Sequence, residues 1–251
     1  MKITASIVTF NSGKEVINLL SSIEKTILNL CDVYVIDNAS TDDTVNLIRA
    51  NFKDVNVIEL DHNLGYGGGH NVAIRIVKSD YHAIINPDIL LSENCISDMV
   101  DYMESNPNTV ILTPKVLNMD GSEQFLPKKI PTYRFLISGR LPFKSAKKTR
   151  SIYTMEDKKP TSPTDIDFCT GCFMFCRTSA LKTVGGFDER YFMYFEDADL
   201  TREMQKIGKT TYVPTITVVH SWKRESKHNF KLLRCHIKSM KKYFKKWGHN
   251  K

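Results

Sequence analysis

The sequence predicts an α/β fold, a mostly parallel sheet flanked by helices. Three observations carry that prediction. Through residue 116, short β-rich runs alternate with segments whose apolar residues recur at helical spacing. Repeats of that length make successive strands parallel, and such a sheet is covered by helices on both faces. The segments that end the strands are polar, acidic or glycine-rich, whereas the strand bodies are apolar. Parallel sheets bind ligands at those ends, so the four segments should converge on one cleft.

The elements follow in order. KITASIVTF is the first strand, and Ser12 with Glu15 makes a capping box for a helix carrying Val16, Leu19, Leu20, Ile23 and Ile27. DVYVID is the second, after which Ser40 caps a helix with Val45, Ile48 and Phe52 inward. VNVIEL is the third, followed by a glycine-rich turn and the helix NVAIRIVKS. YHAIINPD is the fourth, and Ser92 opens a helix with Ile96, Met99 and Met103 inward. After TVILTPKV the alternation stops. A turn at Asp120-Gly121 leads to a basic, proline-broken segment over 127–150, expected as a mobile loop or short helices laid over the core. The β-rich TDIDFCTGCFMFCRT, a short helix, GGFDE, YFMYFEDADL and TTYVPTITVVHSW complete residues 117–222. Beyond them, in residues 223–251, lysines and Arg234 alternate with Phe230, Leu233, Ile237, Met240, Phe244 and Trp247 at three- and four-residue steps. This is a basic amphipathic helical tail.

A chain of 251 residues with 41% hydrophobic and 25% charged residues is globular rather than disordered. Its net charge of +7 admits an anionic partner: nucleic acid, a phosphate-bearing ligand or a membrane surface. No apolar run reaches the roughly 18 residues of a membrane span, and the start is a poor signal peptide, so a cytoplasmic protein is expected. Cys169, Cys172 and Cys176 cluster without a second pair at zinc-like spacing and read as small buried side chains.

Several motifs bear on chemistry. GYGGGHN is a poor nicotinamide fingerprint but suits a backbone that approaches a sugar or phosphate before a helix N-terminus. INPD ends a strand with an amide and a carboxylate two apart, oxygen ligands of the sort a hard cation takes. In YFMYFEDADL, counting back from the buried stripe of Leu200, Met204 and Ile207 puts Asp197 and Glu196 on the inward face. Asp199 and Arg202 fall off it, free to pair with each other. Two inward carboxylates beside Tyr191, Phe192, Tyr194 and Phe195 suggest a general base whose pKa burial has raised.

Taken together these residues resemble the family 2 glycosyltransferases of the GT-A, Rossmann-like fold, and most of all their bacterial rhamnosyltransferase branch. The resemblance covers residues 3–222 and rests on SIVTFNS, VIDNASTDDT, NLGYGGGHNVAI, NPDI, GCFMFCRTSALKTVGGFDERYFMYFEDADL and HSW. It implies a nucleotide-binding half, 1–116, and an acceptor and catalytic half, 117–222. It implies that Thr9, Asn11 and Asp37 hold the nucleoside, and that Asn38, Ser40, Gly65, Gly67, Asn71 and Asn86 line the nucleotide and sugar. Asp88 and His220 would bind Mg or Mn, with Asn86 replacing the first acid of the family's D-x-D motif. Asp197 takes the base position, Glu196 is the alternative, and Asp188 shapes the acceptor side.

The implied function is inverting transfer of a sugar, L-rhamnose from dTDP-rhamnose or a hexose from a UDP-sugar, to a glycan or polyprenyl-diphosphate-linked acceptor. The tail and the 127–150 segment would rest on the anionic inner leaflet of the cell membrane. The rivals are a non-catalytic module binding a sugar nucleotide or glycan, a nucleotidyltransferase and a nucleic-acid binder. Asp88, Asp197 and His220 together argue against the first. Only Lys14 follows the first strand, where a nucleotidyltransferase wants a phosphate-gripping loop. No nucleic-acid fold motif is present, so no nucleic-acid partner is expected.

Overall fold

The first strand, β1 (Ile3–Thr9), is buried at every position, as a strand must be when helices cover both faces of its sheet. The computed structural model describes residues 1–26, 31–138, 141–221 and 230–248; of the expectations above, Ile27, residues 139 and 140, Trp222 and tail residues 223–229 and 249–251 lie outside them. The further strands are β2 (Cys31–Asp37), β3 (Asn56–Glu59), β4 (Tyr81–Ile85), β5 (Ile89–Leu91), β6 (Thr109–Leu117), β7 (Glu123–Gln124), β8 (Thr164–Asp165), β9 (Phe173–Arg177) and β10 (Lys209–His220). They form one sheet in the order β3-β2-β1-β4-β9-β6-β10-β5, with β7 paired to β6 and β8 to β10. The β3-β2-β1-β4 block is parallel. Beyond it the sheet is mixed: β9 runs antiparallel to β4 and β6, β10 parallel to β6, and β5 antiparallel to β10.

The helices are α1 (Gly13–Thr26), α2 (Thr44–Asn51), α3 (Gly65–Ile76), α4 (Cys95–Ser105), α5 (Tyr133–Ser138), α6 (Lys144–Tyr153), α7 (Thr178–Val184), α8 (Glu196–Met204) and α9 (Phe230–Trp247). Strand residues alternate between two cores, because successive side chains point to opposite faces. Ala83, Ile85 and Phe173 meet Leu19, Leu20, Met99 and Met103 of α1 and α4. Ile84 and Met174 meet Ile74, Leu181, Leu200 and Met204 of α3, α7 and α8 on the other side. All six cysteines are free, and burial pushes the Cys172 thiol up to about 12.

Local readings differ from the structure in four places. Ser40 does not cap a helix: α2 starts four residues later, and Ser40 is held by Asp37. The hydroxyl of Ser92 reaches across to the Thr217 carbonyl, three residues ahead of α4. The glycine run is no turn but the opening of α3. Gly65 has a φ of +79°, and a Cβ there would stand 2.0 Å from the Phe192 carbonyl oxygen. Gly67 and Gly69 also permit close packing: their added Cβ atoms would meet Phe187 at 2.7 Å and Val8 at 2.8 Å. Finally, α8 ends at Met204, and Ile207 is exposed.

The 127–150 segment carries α5 and α6, and α5 docks on the tail by stacking Tyr133 on Phe244 at 4.1 Å. The tail helix α9 lies on α8. Tyr243 and Phe244 are buried against Phe195, with Met240 and Trp247 packed beside them. Only part of its apolar stripe is left outward, at Phe230 and Leu233.

Candidate active site

The carboxyl ends of the strands open onto a cleft of two lobes that share Tyr66 and Asn86 as a common wall. The first lobe, about 380 Å³, is bounded by Asn11, Ser12, Glu15, Asp88 and Ser221. The second, about 440 Å³, is bounded by Gln124, Lys128, Gly171, Glu196, Asp197 and His220.

Of the positions expected to hold the nucleotide, Asn11 and Asn86 line the first lobe. Others lie beneath it and fix its floor. Asp37 is buried, and its two oxygens accept hydrogen bonds from the Ser40 amide at 2.8 Å and the Ser40 hydroxyl at 2.5 Å. That hydroxyl accepts the Asn11 amide at 2.9 Å, and Asn11 Oδ1 accepts the Thr41 amide at 2.8 Å. Asn11 adopts a φ of 51°, a left-handed conformation that Asn tolerates better than most residues. Asn38 is buried; it donates to the Gly65 carbonyl and accepts from the Leu64 amide. Thr9 is buried, and its hydroxyl meets no partner among the described residues. Asn71 binds both backbone groups of Phe187 and the Glu189 carboxylate, tying α3 to the GGFDE loop.

Asp88 and His220 are brought together by the sheet. β10 pairs with β5 so that His220 stands opposite Ile89. His220 Nε2 lies 3.2 Å from Asp88 Oδ1. Its Nδ1 lies 3.0 Å from Gln124 Oε1, while the Gln124 amide nitrogen donates to Asn118 Oδ1 and to the His220 carbonyl. This amide orientation, assigned from the bonding network, gives His220 Nδ1 an acceptor and turns Nε2 toward the Asp88 carboxylate. One imidazole nitrogen and one carboxylate oxygen thus stand 3.2 Å apart at the junction of the lobes. The donor set of one imidazole and one carboxylate, beside the Asn86 amide, fits Mn²⁺ or Mg²⁺ with oxygen ligands supplied by a diphosphate. Among the described residues no group of three or more His, Cys, Asp or Glu comes together for a metal.

Across the second lobe stands the start of α8. Tyr194 and Phe195, just before it, have φ of 70° and 69°, a conformation that costs roughly 1–3 kcal/mol for each such residue. The surroundings hold it. Phe195 is buried under Tyr243, and the Met193 carbonyl accepts the Ser239 hydroxyl of α9 at 2.8 Å. On the other side the Phe192 carbonyl accepts the Tyr66 amide of α3 at 3.0 Å. The turn therefore delivers Glu196 and Asp197 side by side into the lobe.

Asp197 Oδ2 accepts the Gly171 amide at 3.0 Å, and Oδ1 accepts the Ala198 amide at 2.9 Å. Burial raises its pKa; the Lys128 ammonium and these backbone donors oppose that rise. Lys128 is carried in by a β-bridge to Phe168, and its ammonium lies 5.0 Å from the Phe168 ring centre and 5.9 Å from that of Tyr153. Tyr66 closes the arrangement by donating its hydroxyl to the Gly171 carbonyl.

Two expectations on this side change. Asp199 is not a surface partner of Arg202: it is 1% exposed and bound by Lys246 at 2.8 Å and the Trp247 indole N–H at 2.6 Å, while Arg202 stacks on the Trp247 ring. Asp188 does not line the acceptor lobe. Its carboxyl, held down to about 2 mainly by Arg190, anchors that arginine and faces Lys246. Sequence reasoning missed Tyr66, Gln124, Lys128 and Gly171. Each reaches the cleft through a contact distant along the chain.

A β/α sheet with a two-lobed cleft at its carboxyl edge, a carboxylate pair in one lobe and an Asp–His pair between the lobes defines a GT-A-type glycosyltransferase. The glycosyl transferase family 2 profile matches residues 4–185, and the chain belongs to that family. It is 30% identical over 230 residues to the N-acetylglucosaminyl-diphospho-decaprenol L-rhamnosyltransferase of Mycobacterium tuberculosis, covering 85% of this chain and 74% of that one. It is 31% identical over 193 residues to Rhamnosyltransferase WbbL of Escherichia coli, covering 71% and 69%. Among solved structures, S. aureus TarS 1-349 in complex with UDP-GlcNAc superposes with a TM-score of 0.66 at 19% identity; the match covers 91% of this chain and 60% of that one. The mannosyltransferase PcManGT from Pyrobaculum calidifontis, in complex with GDP-Man and Mn2+, gives 0.66 at 15% identity, covering 97% and 64%.

Proposed function

We propose that the chain is an inverting rhamnosyltransferase that moves L-rhamnose from dTDP-rhamnose to an N-acetylglucosaminyl-diphosphate lipid in cell-surface polysaccharide synthesis. One observation carries the reading: Asp197, fixed by two backbone N–H groups, faces the Asp88–His220 pair across a cleft divided by Tyr66 and Asn86. The kinship with two rhamnosyltransferases supports the sugar, and the acceptor named for the mycobacterial relative supports the lipid diphosphate.

The donor occupies the lobe of Asn11 and Asn86, its diphosphate toward Asp88; Thr9, Asp37, Asn38, Ser40, Gly65, Gly67 and Asn71 hold the loops that form this lobe. Asp88 and His220 would hold a divalent cation, which would supply positive charge to the departing diphosphate. On the other side Asp197 takes the proton of the acceptor hydroxyl as its oxygen bonds to the anomeric carbon. The bond from that carbon to the phosphate oxygen breaks, and its electron pair leaves with the diphosphate. Attack from the face opposite the leaving group inverts the anomeric centre.

No helix among the described residues is long and apolar enough to cross a membrane. A cytoplasmic protein peripheral on the inner leaflet fits the adjoining α5 and α9, which expose Ile137, Phe230 (89% exposed) and Leu233 among lysines.

The test is a panel of dTDP-rhamnose, UDP-glucose, UDP-galactose and UDP-GlcNAc, following binding and slow donor hydrolysis with and without Mn²⁺. Selective turnover of dTDP-rhamnose supports the reading; turnover of a UDP-hexose replaces the donor. Binding of none refutes it.

A further inference from the structure

The two acids that open α8 differ in what surrounds them. Asp197 receives two backbone N–H groups and the field of the Lys128 ammonium. Glu196 is 5% exposed, and its Oε2 meets no hydrogen-bond partner among the described residues although it lines the acceptor lobe. The titratable groups around the pair are Tyr66 of α3, Tyr194 of the strained turn, Cys169 and Cys172 ahead of β9, Lys128 with Tyr153 across the lobe, and Tyr243 and His236 of α9 behind the turn. Of these, the Lys128 ammonium acts on Asp197.

Two adjoining carboxyls in a water-poor wall share one negative charge more cheaply than two. The charge settles on Asp197, where the Gly171 and Ala198 N–H groups and a cation already point, and the proton on Glu196, whose Oε2 has no partner among the described residues. We propose that Glu196 works as a neutral carboxylic acid whose O–H is donated into the acceptor lobe, to a lone-pair oxygen of the acceptor sugar beside the reacting hydroxyl. Asp197 alone removes a proton, and the Glu196 proton stays in place through the reaction. Burial, and after it the charge on Asp197, hold the Glu196 carboxyl well above the usual carboxylate range. This inference rests on the reading of the cleft as a glycosyl-transfer site, and it assigns Glu196 to acceptor recognition rather than to the base.

The experiment has two arms, both on the full chain. In the first, difference infrared spectra of the resting enzyme near neutral pH should show the C=O band of a buried protonated carboxyl, lost in Glu196→Gln and kept in Asp197→Asn. A wild-type spectrum without that band overturns the assignment whatever the enzyme transfers. The second measures transfer from dTDP-rhamnose to a short-chain prenyl-diphosphate-linked N-acetylglucosamine. Glu196→Gln, which still presents a neutral donor, should stay within about threefold of wild-type kcat/KM for the acceptor. Glu196→Ala should lose about tenfold or more, chiefly in acceptor KM, as expected for one hydrogen bond of about 1.4 kcal/mol. The wild type should lose activity as the pH rises through the Glu196 pKa, and Glu196→Gln should lack that limb. Loss in Glu196→Gln as deep as in Glu196→Ala overturns the role while the wild type remains active. A wild type that turns over no donor instead removes the glycosyl-transfer reading, and the role of Glu196 in acceptor binding falls with it.

Discussion

The two lobes of the cleft are built in opposite ways. The donor lobe is lined by neighbouring strand ends whose polar groups satisfy one another: Asp37 is held by Ser40, three residues on, and Asn11 by the loop that follows the adjacent β2. The acceptor lobe is assembled from distant pieces. Asp197 is held by Gly171, that glycine by Tyr66, and the turn before α8 by Ser239 of the tail helix. A lobe whose loops are braced by adjacent parallel strand ends should tolerate substitution of its neighbours. A lobe whose carboxylates sit behind two left-handed aromatic residues should depend on remote support.

Five measurements break or sharpen that contrast. The largest effect is expected at the base itself. Asp197→Asn should cut acceptor transfer by about 10²–10⁴-fold while leaving donor binding intact, as seen by titration calorimetry. Next comes remote support of the same lobe. Trp247→Ala removes the indole N–H from buried Asp199 and the surface under Arg202. It should destabilise the protein by about 3 kcal/mol and reduce transfer by loosening the Glu196–Asp197 turn, read by denaturant unfolding beside kinetics.

Between the lobes, Gln124→Leu takes away the partner of His220 Nδ1. The Mn²⁺ concentration for half-maximal activity should rise by about 10–100-fold with little change at saturating metal. A smaller effect is expected for Lys128→Met. The ammonium favours the ionised form of Asp197, so its removal raises the Asp197 pKa. Because transfer needs ionised Asp197, the acid limb of the pH–rate profile should move to higher pH. The smallest effect on catalysis is expected for Phe230→Ser with Leu233→Ser. Transfer to a water-soluble acceptor should be unchanged, while sedimentation with vesicles of anionic lipid should fall.

Much of the first half was legible in the sequence because period-2 and helical periodicities report burial directly. Ile96, Met99 and Met103 face the core as their spacing requires, and so do Ile48 and Phe52. Serines were less legible. Ser40 and Ser92 carry the chemistry of helix caps, yet each is used by a partner outside a helix: Asp37 in one case and the Thr217 carbonyl in the other. A side chain that can bond many backbone groups does not announce which one folding will present.

The acids of YFMYFEDADL divide the same way. Helical spacing put Glu196 and Asp197 inward, and both line the cleft. Spacing also put Asp199 outward, and on α8 alone it is. The second surface that buries it is α9, which arrives from more than forty residues further on.

The sequence by itself determined the parallel block, the inward faces of the helices, the polar strand ends and the inward carboxylate couple of Glu196 and Asp197. These follow from periodicity and from chemistry carried within a few residues. Only the tertiary structure decided that the glycines of α3 serve packing against Phe187 and Val8, and that the basic tail braces the carboxylate turn. It alone distinguished the two acids, giving Asp197 its donors and leaving Glu196 Oε2 without any. The physical reason is common to all three. Burial, close approach and the placing of a hydrogen-bond donor depend on which distant surfaces meet, and no local pattern encodes that meeting.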